Sequence, residues 1–135
     1  MEVKNKKVVV YCRVAHSEDS AMKAQTESLM RFANAEGYAV DECYCDNGES
    51  GVTLDRPEMN RLLSDIRSGN IKTVIAKDLS RIARNFMLGV KFVDEAQKFD
   101  VTVVTVHDDI AATISMFESL VSIFNKNKNF VGCIS

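Results

Sequence analysis

The fold is decided by the stretch Thr73-Val74-Ile75-Ala76-Lys77-Asp78-Leu79-Ser80-Arg81-Ile82-Ala83-Arg84-Asn85. Its opening residues form an apolar, β-rich run that is typical of a buried strand. The residues from Lys77 onward begin a new segment, in which a helix would place Arg81 and Arg84 three residues apart on one face. Two guanidinium groups just beyond the C-terminal end of a strand can bind an anionic oxygen, most naturally that of a phosphate. The stretch therefore predicts a strand followed by a helix that carries cations.

The same alternation of short β-rich runs and amphipathic segments extends over the chain. Strands are predicted at Lys7–Cys12, Ala39–Cys45, Lys72–Ala76 and Val101–Val106, and helices at Ser20–Glu36, Glu58–Arg67, Leu79–Phe99 (one long helix or two short ones) and Ile110–Phe124. Gly37 is placed as a helix-ending glycine, Pro57 as a helix-starting proline, and Asp108 and Asp109 as caps of the last helix. This order predicts an α/β fold with a mainly parallel sheet of four to five strands and helices on both faces.

Basic residues follow three of the predicted strands. Arg13 lies at the end of the first strand, Arg56 lies in the loop after the second, and Lys77, Arg81 and Arg84 follow the third. Because sites in open α/β sheets form at the carboxyl ends of the strands, these side chains are expected at one edge of the sheet. The sequence therefore predicts an anion site there.

Bulk properties limit the class of protein. The 135 residues fit one domain, and the formal net charge of −2 argues against a free-standing, sequence-independent DNA binder, although it allows a local basic site. The N-terminal apolar run is too short for a signal peptide, and no run is long enough to span a membrane. We therefore expect a cytoplasmic protein with reduced thiols. Cys43 and Cys45 are interpreted as half-buried strand residues on one face, since no further zinc ligands lie nearby in the sequence.

Four motifs resemble, in order, the catalytic domain of the serine recombinases, the resolvase/invertase family, especially the large recombinases of mobile elements. The match covers about residues 7 to 125. Its motifs are Tyr11-Cys12-Arg13-Val14, the pair Gln25 and Leu29, the loop Glu49-Ser50-Gly51 to Asp55-Arg56-Pro57, and Lys77 to Asn85. Each motif alone is weak, and their order and separations make the signal strong.

The resemblance implies an activity and a set of partners. The family cuts DNA with a serine hydroxyl, forms a 5′-phosphoseryl bond and exchanges strands within a tetramer, without consuming a metal or a nucleotide. It implies DNA, through its phosphate backbone, as the partner, and a homodimer or tetramer formed through the apolar last helix. By the motif match, Arg13, Arg56, Arg81 and Arg84 would stabilise the charge on a phosphodiester under attack.

The chain departs from the family at the nucleophile. The expected serine position, two residues after Arg13, holds Ala15, whose methyl group cannot attack phosphorus. The nearest hydroxyl belongs to Ser17, in the turn before the first helix, where a serine is also an ordinary N-cap. His16 is a candidate proton shuttle or an ordinary loop residue. Three interpretations stay open: Ser17 substitutes as the nucleophile, the domain has lost the cleavage chemistry, or a residue that the sequence does not identify supplies the nucleophile.

Two other functions compete with the recombinase. The chain is predicted to comprise a catalytic domain at residues 1–125 and a tail at 126–135, with no DNA-binding domain. It would therefore be either a fragment of a longer protein or a natively short, regulatory relative.

Of the two functions that compete with the recombinase, the first is an inactive oligomerisation module that pairs with active recombinase subunits. The second is a flavodoxin-like protein that binds a small phosphate compound, which the absence of GxGxxG and P-loop patterns disfavours.

Overall fold

The computed structural model describes residues 6–134, with side chains described up to residue 123. The strands are β1 (Lys7–Val14), β2 (Glu42–Asn47), β3 (Ile71–Ala76) and β4 (Thr102–Thr105). The helices are α1 (Asp19–Ala35), α2 (Pro57–Arg67), α3 (Leu79–Ile82), α4 (Phe86–Lys98) and α5 (Ile110–Ile134).

Within the described residues, the strands form one four-stranded sheet in the order β2-β1-β3-β4, and every pair is parallel. Helix α1 covers one face through Met22, Leu29 and Ala33, which pack on Val10 and Ile75. The other helices cover the opposite face, where the larger apolar cluster lies. The α/β class, the parallel sheet and the helices on both faces are confirmed.

All four strands differ from prediction at one end or both, and β1 and β2 differ most. Strand β1 continues to Val14, so Arg13 lies inside the strand rather than beyond it. Strand β2 begins at Glu42 instead of Ala39. Asp41 causes this later start, because its backbone N–H donates to the Val8 carbonyl and its carboxylate accepts from the Val8 N–H. That paired contact precedes the first register pair, Val9 with Glu42.

The segment predicted as one long helix or two short ones is two helices. Asp78 caps α3 by accepting from the backbone N–H of Arg81, and Asn85 caps α4 by accepting from that of Met87 at 2.8 Å. Between the helices, Ala83 is extended. The backbone N–H of Arg84 donates to the Gly51 carbonyl at 2.8 Å, which ties this break to the loop after β2.

Predicted caps and turns are confirmed in part. Gly37, with φ +84°, follows α1 as predicted, and Asp109 caps α5 through the N–H of Ala112. Asp108 instead accepts from the N–H of Leu79 at 2.7 Å, so it caps α3 and not α5. Helix α5 continues to Ile134, through the segment predicted as a tail. Among the described residues, no helix has the length and apolar content needed to cross a bilayer.

Candidate phosphate-binding site

The motif arginines belong to the C-terminal ends of the strands and the loops that follow, as the sequence predicts, but they divide into two groups. Arg13 and Arg56 are buried, with 6% and 1% of their surfaces exposed. Arg81 is half-buried and Arg84 is exposed. The two groups have different hydrogen-bond partners, and each is described in turn.

The Arg13 guanidinium is occupied by backbone carbonyls. Its Nε donates to the Arg81 carbonyl at 3.0 Å, its Nη2 to the Ser80 carbonyl at 2.6 Å, and its Nη1 to the Glu49 carbonyl at 3.2 Å. Burial lowers the pKa of Arg13, and the nearby positive charge of Arg56 lowers it further. Arg13 therefore joins α3 to the loop after β2.

Arg56 holds the same short helix from the other direction. Its Nη1 donates to the Arg81 carbonyl at 3.3 Å and its Nη2 donates to the Ile82 carbonyl. Its Nε is buried without a hydrogen-bond partner among the described residues. The Arg81 carbonyl thus accepts from both buried arginines, which together fix the end of α3.

A tyrosine and a carboxylate support Arg56. The Arg56 guanidinium carbon lies 5.6 Å from the centre of the Tyr11 ring, and the Tyr11 hydroxyl donates to Asp46 at 2.7 Å. The Asp46 carboxylate also accepts the N–H groups of Glu58 and Met59 at 2.9 and 3.0 Å. It therefore caps α2, the helix that Arg56 precedes, in place of a side chain from position 55 or 56. Sequence reasoning assigned Tyr11 and Asp46 no part in the site.

Gln25 fixes the backbone of Arg13. Its side-chain oxygen accepts from the Arg13 N–H at 3.0 Å, and its side-chain amide donates to the Arg13 carbonyl at 3.2 Å. These two hydrogen bonds attach α1 to the C-terminal end of strand β1. The motif position that Gln25 occupies in the sequence therefore has a structural role in this protein.

Arg81, of the second group, faces a cavity on the α1 side of the sheet together with Lys77, whereas Arg84 does not line it. Lys77 and Arg81 line a space of about 360 Å³ together with Gln25 and Ser28, and apolar atoms complete the wall. The Arg81 Nε is buried and has no hydrogen-bond partner among the described residues. Neither side chain forms an ion pair within that part of the chain. Two unneutralised cations therefore converge on one concave surface.

Arg84 lies beside the glycine of the loop after β2. A Cβ atom at Gly51 would lie 2.7 Å from Nη2 of Arg13 and 3.0 Å from the backbone nitrogen of Arg84. Only glycine fits between them without a shift of the backbone or of Arg13. Gly51 thus allows the loop to approach both arginine groups closely.

Ser17 is exposed and lies at the β2 side of this edge. Its Cβ would be 3.1 Å from a Cβ at Gly48, and no hydrogen bond joins its hydroxyl to an arginine among the described side chains. It does not cap α1, because the capping position is Glu18. Ala15 and His16 are exposed in the bend after β1. Ser17 is not among the residues that line the cavity of Lys77 and Arg81.

The strand cysteines are placed as predicted. Cys43 and Cys45 are half-buried and pack toward α1, on the same face as Cys12. No group of three or more His, Cys, Asp and Glu side chains suited to a metal ion occurs in the described residues.

Comparisons with known proteins agree with this geometry. The family model for the resolvase N-terminal domain matches residues 8–130. The N-terminal catalytic domain of TP901-1 integrase is 27% identical and superimposes with a TM-score of 0.73, over 94% of this chain and 99% of that domain. A resolvase family site-specific recombinase from Streptococcus pneumoniae is 28% identical, with a TM-score of 0.68 and 96% of each chain covered.

A curated relative extends the comparison. The Escherichia coli protein named Resolvase is 33% identical over 75 residues, which are 56% of this chain and 32% of that protein. The chain spans about a fifth to a third of the length of the curated relatives that it matches. Because the family model covers most of the chain and the solved domains share its fold, this chain belongs to the resolvase N-terminal domain family, the catalytic-domain family of the serine recombinases.

Proposed function

We propose that this chain is a site-specific recombinase domain that binds DNA phosphodiesters through Lys77, Arg81 and Arg84. Arg13 and Arg56 serve that site by holding the backbone from which Arg81 and Arg84 project. No metal or nucleotide cofactor takes part, and the protein acts in the cytoplasm. The proposal rests on the family and on the division of the basic residues described above.

The cavity of Lys77 and Arg81 is the observation that carries the proposal. A buried guanidinium nitrogen without a partner is unfavourable unless a ligand supplies an acceptor. A phosphate oxygen is an acceptor of this kind, and arginine can bind it with two parallel bonds. Gln25 and Ser28 add neutral donors to the same wall. The cavity therefore has the charge and the donors that a DNA phosphate requires.

Cleavage is a separate question from binding. In the family, the attacking hydroxyl follows the first motif arginine by two residues, and Ala15 has none. Ser17 lies beside Gly48 and does not line the cavity of Lys77 and Arg81, and a displacement of about 1 Å from the attacking position lowers a rate by about 100-fold. We propose that the domain binds DNA and that the missing hydroxyl at position 15 blocks its cleavage.

The last helix, α5, has an exposed apolar surface that is suited to association with another protein chain. Met116, Leu120 and Ile123 of α5 are more than half exposed, at 56%, 55% and 58%. Exposed apolar side chains on one helix favour association with another protein surface. We propose that α5 forms a homodimer or tetramer, or pairs with active recombinase subunits. Analytical ultracentrifugation tests this, since a monomer at high concentration would contradict self-association.

DNA binding is tested by fluorescence anisotropy on a labelled duplex pool at several salt concentrations. Lys77→Ala and Arg81→Ala are each expected to lower the slope of log K against log salt by about 1, since each removes one phosphate contact. Lys72→Ala is the matched control, because Lys72 is an exposed lysine near the opposite end of β3. Equal slopes for all three variants would contradict the assigned site.

The Ala15→Ser variant tests the cleavage part. With a duplex pool, we expect Ala15→Ser to form a covalent protein–DNA adduct that survives denaturing electrophoresis, and the unsubstituted chain to form none. The Ala15→Ser, Arg81→Ala double variant is the control and should lose the adduct. An adduct in the unsubstituted chain that Ser17→Ala abolishes would make Ser17 the nucleophile. The absence of an adduct in all variants would favour the inactive assembly module.

A further inference from the structure

Two thiols that the recombinase chemistry does not use face each other across neighbouring strands. Cys12 of β1 and Cys45 of β2 are register partners in the parallel pair. Adjacent strands lie about 4.8 Å apart, which falls within the range of Cα separations that a disulfide spans. Both side chains point toward α1. The backbone therefore presents these two cysteines in a position to be bonded.

The surroundings of the pair differ from those of the third cysteine on this face. The Thr26 hydroxyl lies between the two sulfurs, 3.6 Å from that of Cys12 and 3.9 Å from that of Cys45. Interaction with the Cys12 thiol lowers the pKa of Cys45, and interaction with Cys45 together with burial raises the pKa of Cys12. Burial raises the pKa of Cys43. Of the three thiols on this face, only that of Cys45 has its pKa shifted downward, which favours its thiolate.

Access also distinguishes the two members of the pair. Cys12 has no exposed surface, whereas Cys45 is half-buried on β2, which is an edge strand of the sheet. A reagent therefore reaches Cys45 first, and Cys12 can react only with the group that Cys45 has acquired.

We propose that Cys12 and Cys45 are a thiol–disulfide exchange site for low-molecular-weight disulfides. The Cys45 thiolate attacks one sulfur of the small disulfide, breaks its S–S bond and releases one thiolate. The Cys12 sulfur then attacks the Cys45 sulfur of the mixed disulfide, gives up its proton and releases the second small thiol. The protein loses two hydrogens, and the small disulfide is reduced to two thiols. A bond between adjacent strands is geometrically demanding and hence readily reduced again.

The position of the pair connects this chemistry to the site. Cys12 immediately precedes Arg13, and Cys45 immediately precedes Asp46, the cap of α2. A covalent bond there would fix the two strand ends that carry these residues. The exchange reaction itself depends only on the thiols, so it stands whether or not the domain binds DNA.

The test uses the full chain with Cys133→Ser, incubated with oxidised glutathione and then analysed by intact mass and peptide mapping. We expect a loss of two hydrogens and a peptide pair joined through Cys12 and Cys45. Cys43→Ser is the matched control and should keep the bond, whereas Cys45→Ser should abolish it.

Other outcomes overturn the proposal. A bond that includes Cys43, a bond that persists in Cys45→Ser, or a glutathione adduct at Cys45 that Cys12 never resolves would each contradict it. Because Cys12 is wholly buried, Cys12→Ala is used only after circular dichroism shows that it folds. In that folded variant, the glutathione adduct at Cys45 should accumulate, and its absence would also contradict the reaction sequence.

Discussion

The basic residues of this domain form two groups in opposite surroundings. The inward group is Arg13 and Arg56, and the outward group is Lys77, Arg81 and Arg84. Arg13 and Arg56 give donors to carbonyls of α3 and the loop after β2, whereas Lys77 and Arg81 face a cavity and form no ion pair with a described side chain. A guanidinium satisfied by its own chain stabilises the fold. One that lines an open cavity, as Arg81 does, is accessible to a ligand, whereas the unpartnered Nε of Arg56 is enclosed by the fold. The difference shows that a motif of arginines can combine positioning and binding, and four substitutions test it.

The largest expected effect is on Arg56. Arg56→Met keeps most of the buried volume but leaves the Ile82 carbonyl without its donor, so we expect about 3 kcal/mol lower free energy of unfolding. The measurement is urea denaturation followed by circular dichroism. Arg84→Met is the control and should change stability by less than about 0.5 kcal/mol, since Arg84 is exposed. Equal losses in both variants would remove the distinction between the groups.

Gly51→Ala tests the contact between the groups. Its Cβ would displace the Arg13 guanidinium, and we expect about 2 kcal/mol of destabilisation together with weaker DNA binding. Gly37→Ala is the control: Gly37 has φ +84° and open space around it, so alanine should cost about 1 kcal/mol and leave DNA affinity unchanged. Unchanged DNA affinity in Gly51→Ala would separate Arg13 from the binding site.

Tyr11→Phe removes the hydroxyl that bonds Asp46. We expect a loss of about 1.5 kcal/mol at neutral pH, because the partner is a buried carboxylate. The control is Tyr38→Phe, whose hydroxyl has no hydrogen bond among the described residues. A loss no larger than that of Tyr38→Phe would show that Tyr11 does not support Asp46.

The same variant has a predicted pH dependence. Burial raises the pKa of Tyr11, so the unfolded state loses this proton first as pH rises above about 10. The folded state then binds more protons than the unfolded state, and stability falls with rising pH. Tyr11→Phe should flatten part of that fall in chemical denaturation measured between neutral and alkaline pH. An identical alkaline profile in the variant would contradict the raised pKa.

The smallest effect on stability is expected at Arg84. Arg84→Ala should leave the free energy of unfolding within about 0.5 kcal/mol while lowering the salt slope of DNA binding by about 1. Arg67→Ala is the control, because Arg67 is paired with Glu95 on the surface. The result to look for is a change in binding without a change in stability. Loss of stability instead would move Arg84 into the inward group.

Much of the fold was predictable because the spacing of apolar residues, and the glycine and proline residues that end or begin helices, are local features of the sequence. The β-rich runs, the glycine at position 37 and the proline at position 57 gave the order of elements and hence the parallel sheet. The break between α3 and α4 was left open, because it depends on the Gly51 carbonyl, which is distant in sequence. The later start of β2 likewise depends on the contact of Asp41 with Val8.

The candidate site was predicted as a set of residue types and not as an arrangement. Strand-end positions brought Arg13, Arg56 and Arg81 together because parallel strands place their carboxyl ends at one edge. Asp46 went unnoticed as a member of the site, since its partners are the Tyr11 hydroxyl and two backbone N–H groups across the fold. A signal existed in the spacing: Tyr11 precedes Arg13 by two residues and so shares its face of the strand.

The sequence by itself determined the family, the parallel α/β order and the absence of a hydroxyl at position 15, because each is written in residue identity and local spacing. Only the tertiary structure decided which basic side chains bind backbone carbonyls and which face a cavity. Side-chain pairing in a buried site depends on carbonyls supplied by distant segments, and local sequence does not encode their direction. The backbone of α3 therefore directed Arg13 and Arg56 inward, and the cavity beside α1 left Lys77 and Arg81 unpaired.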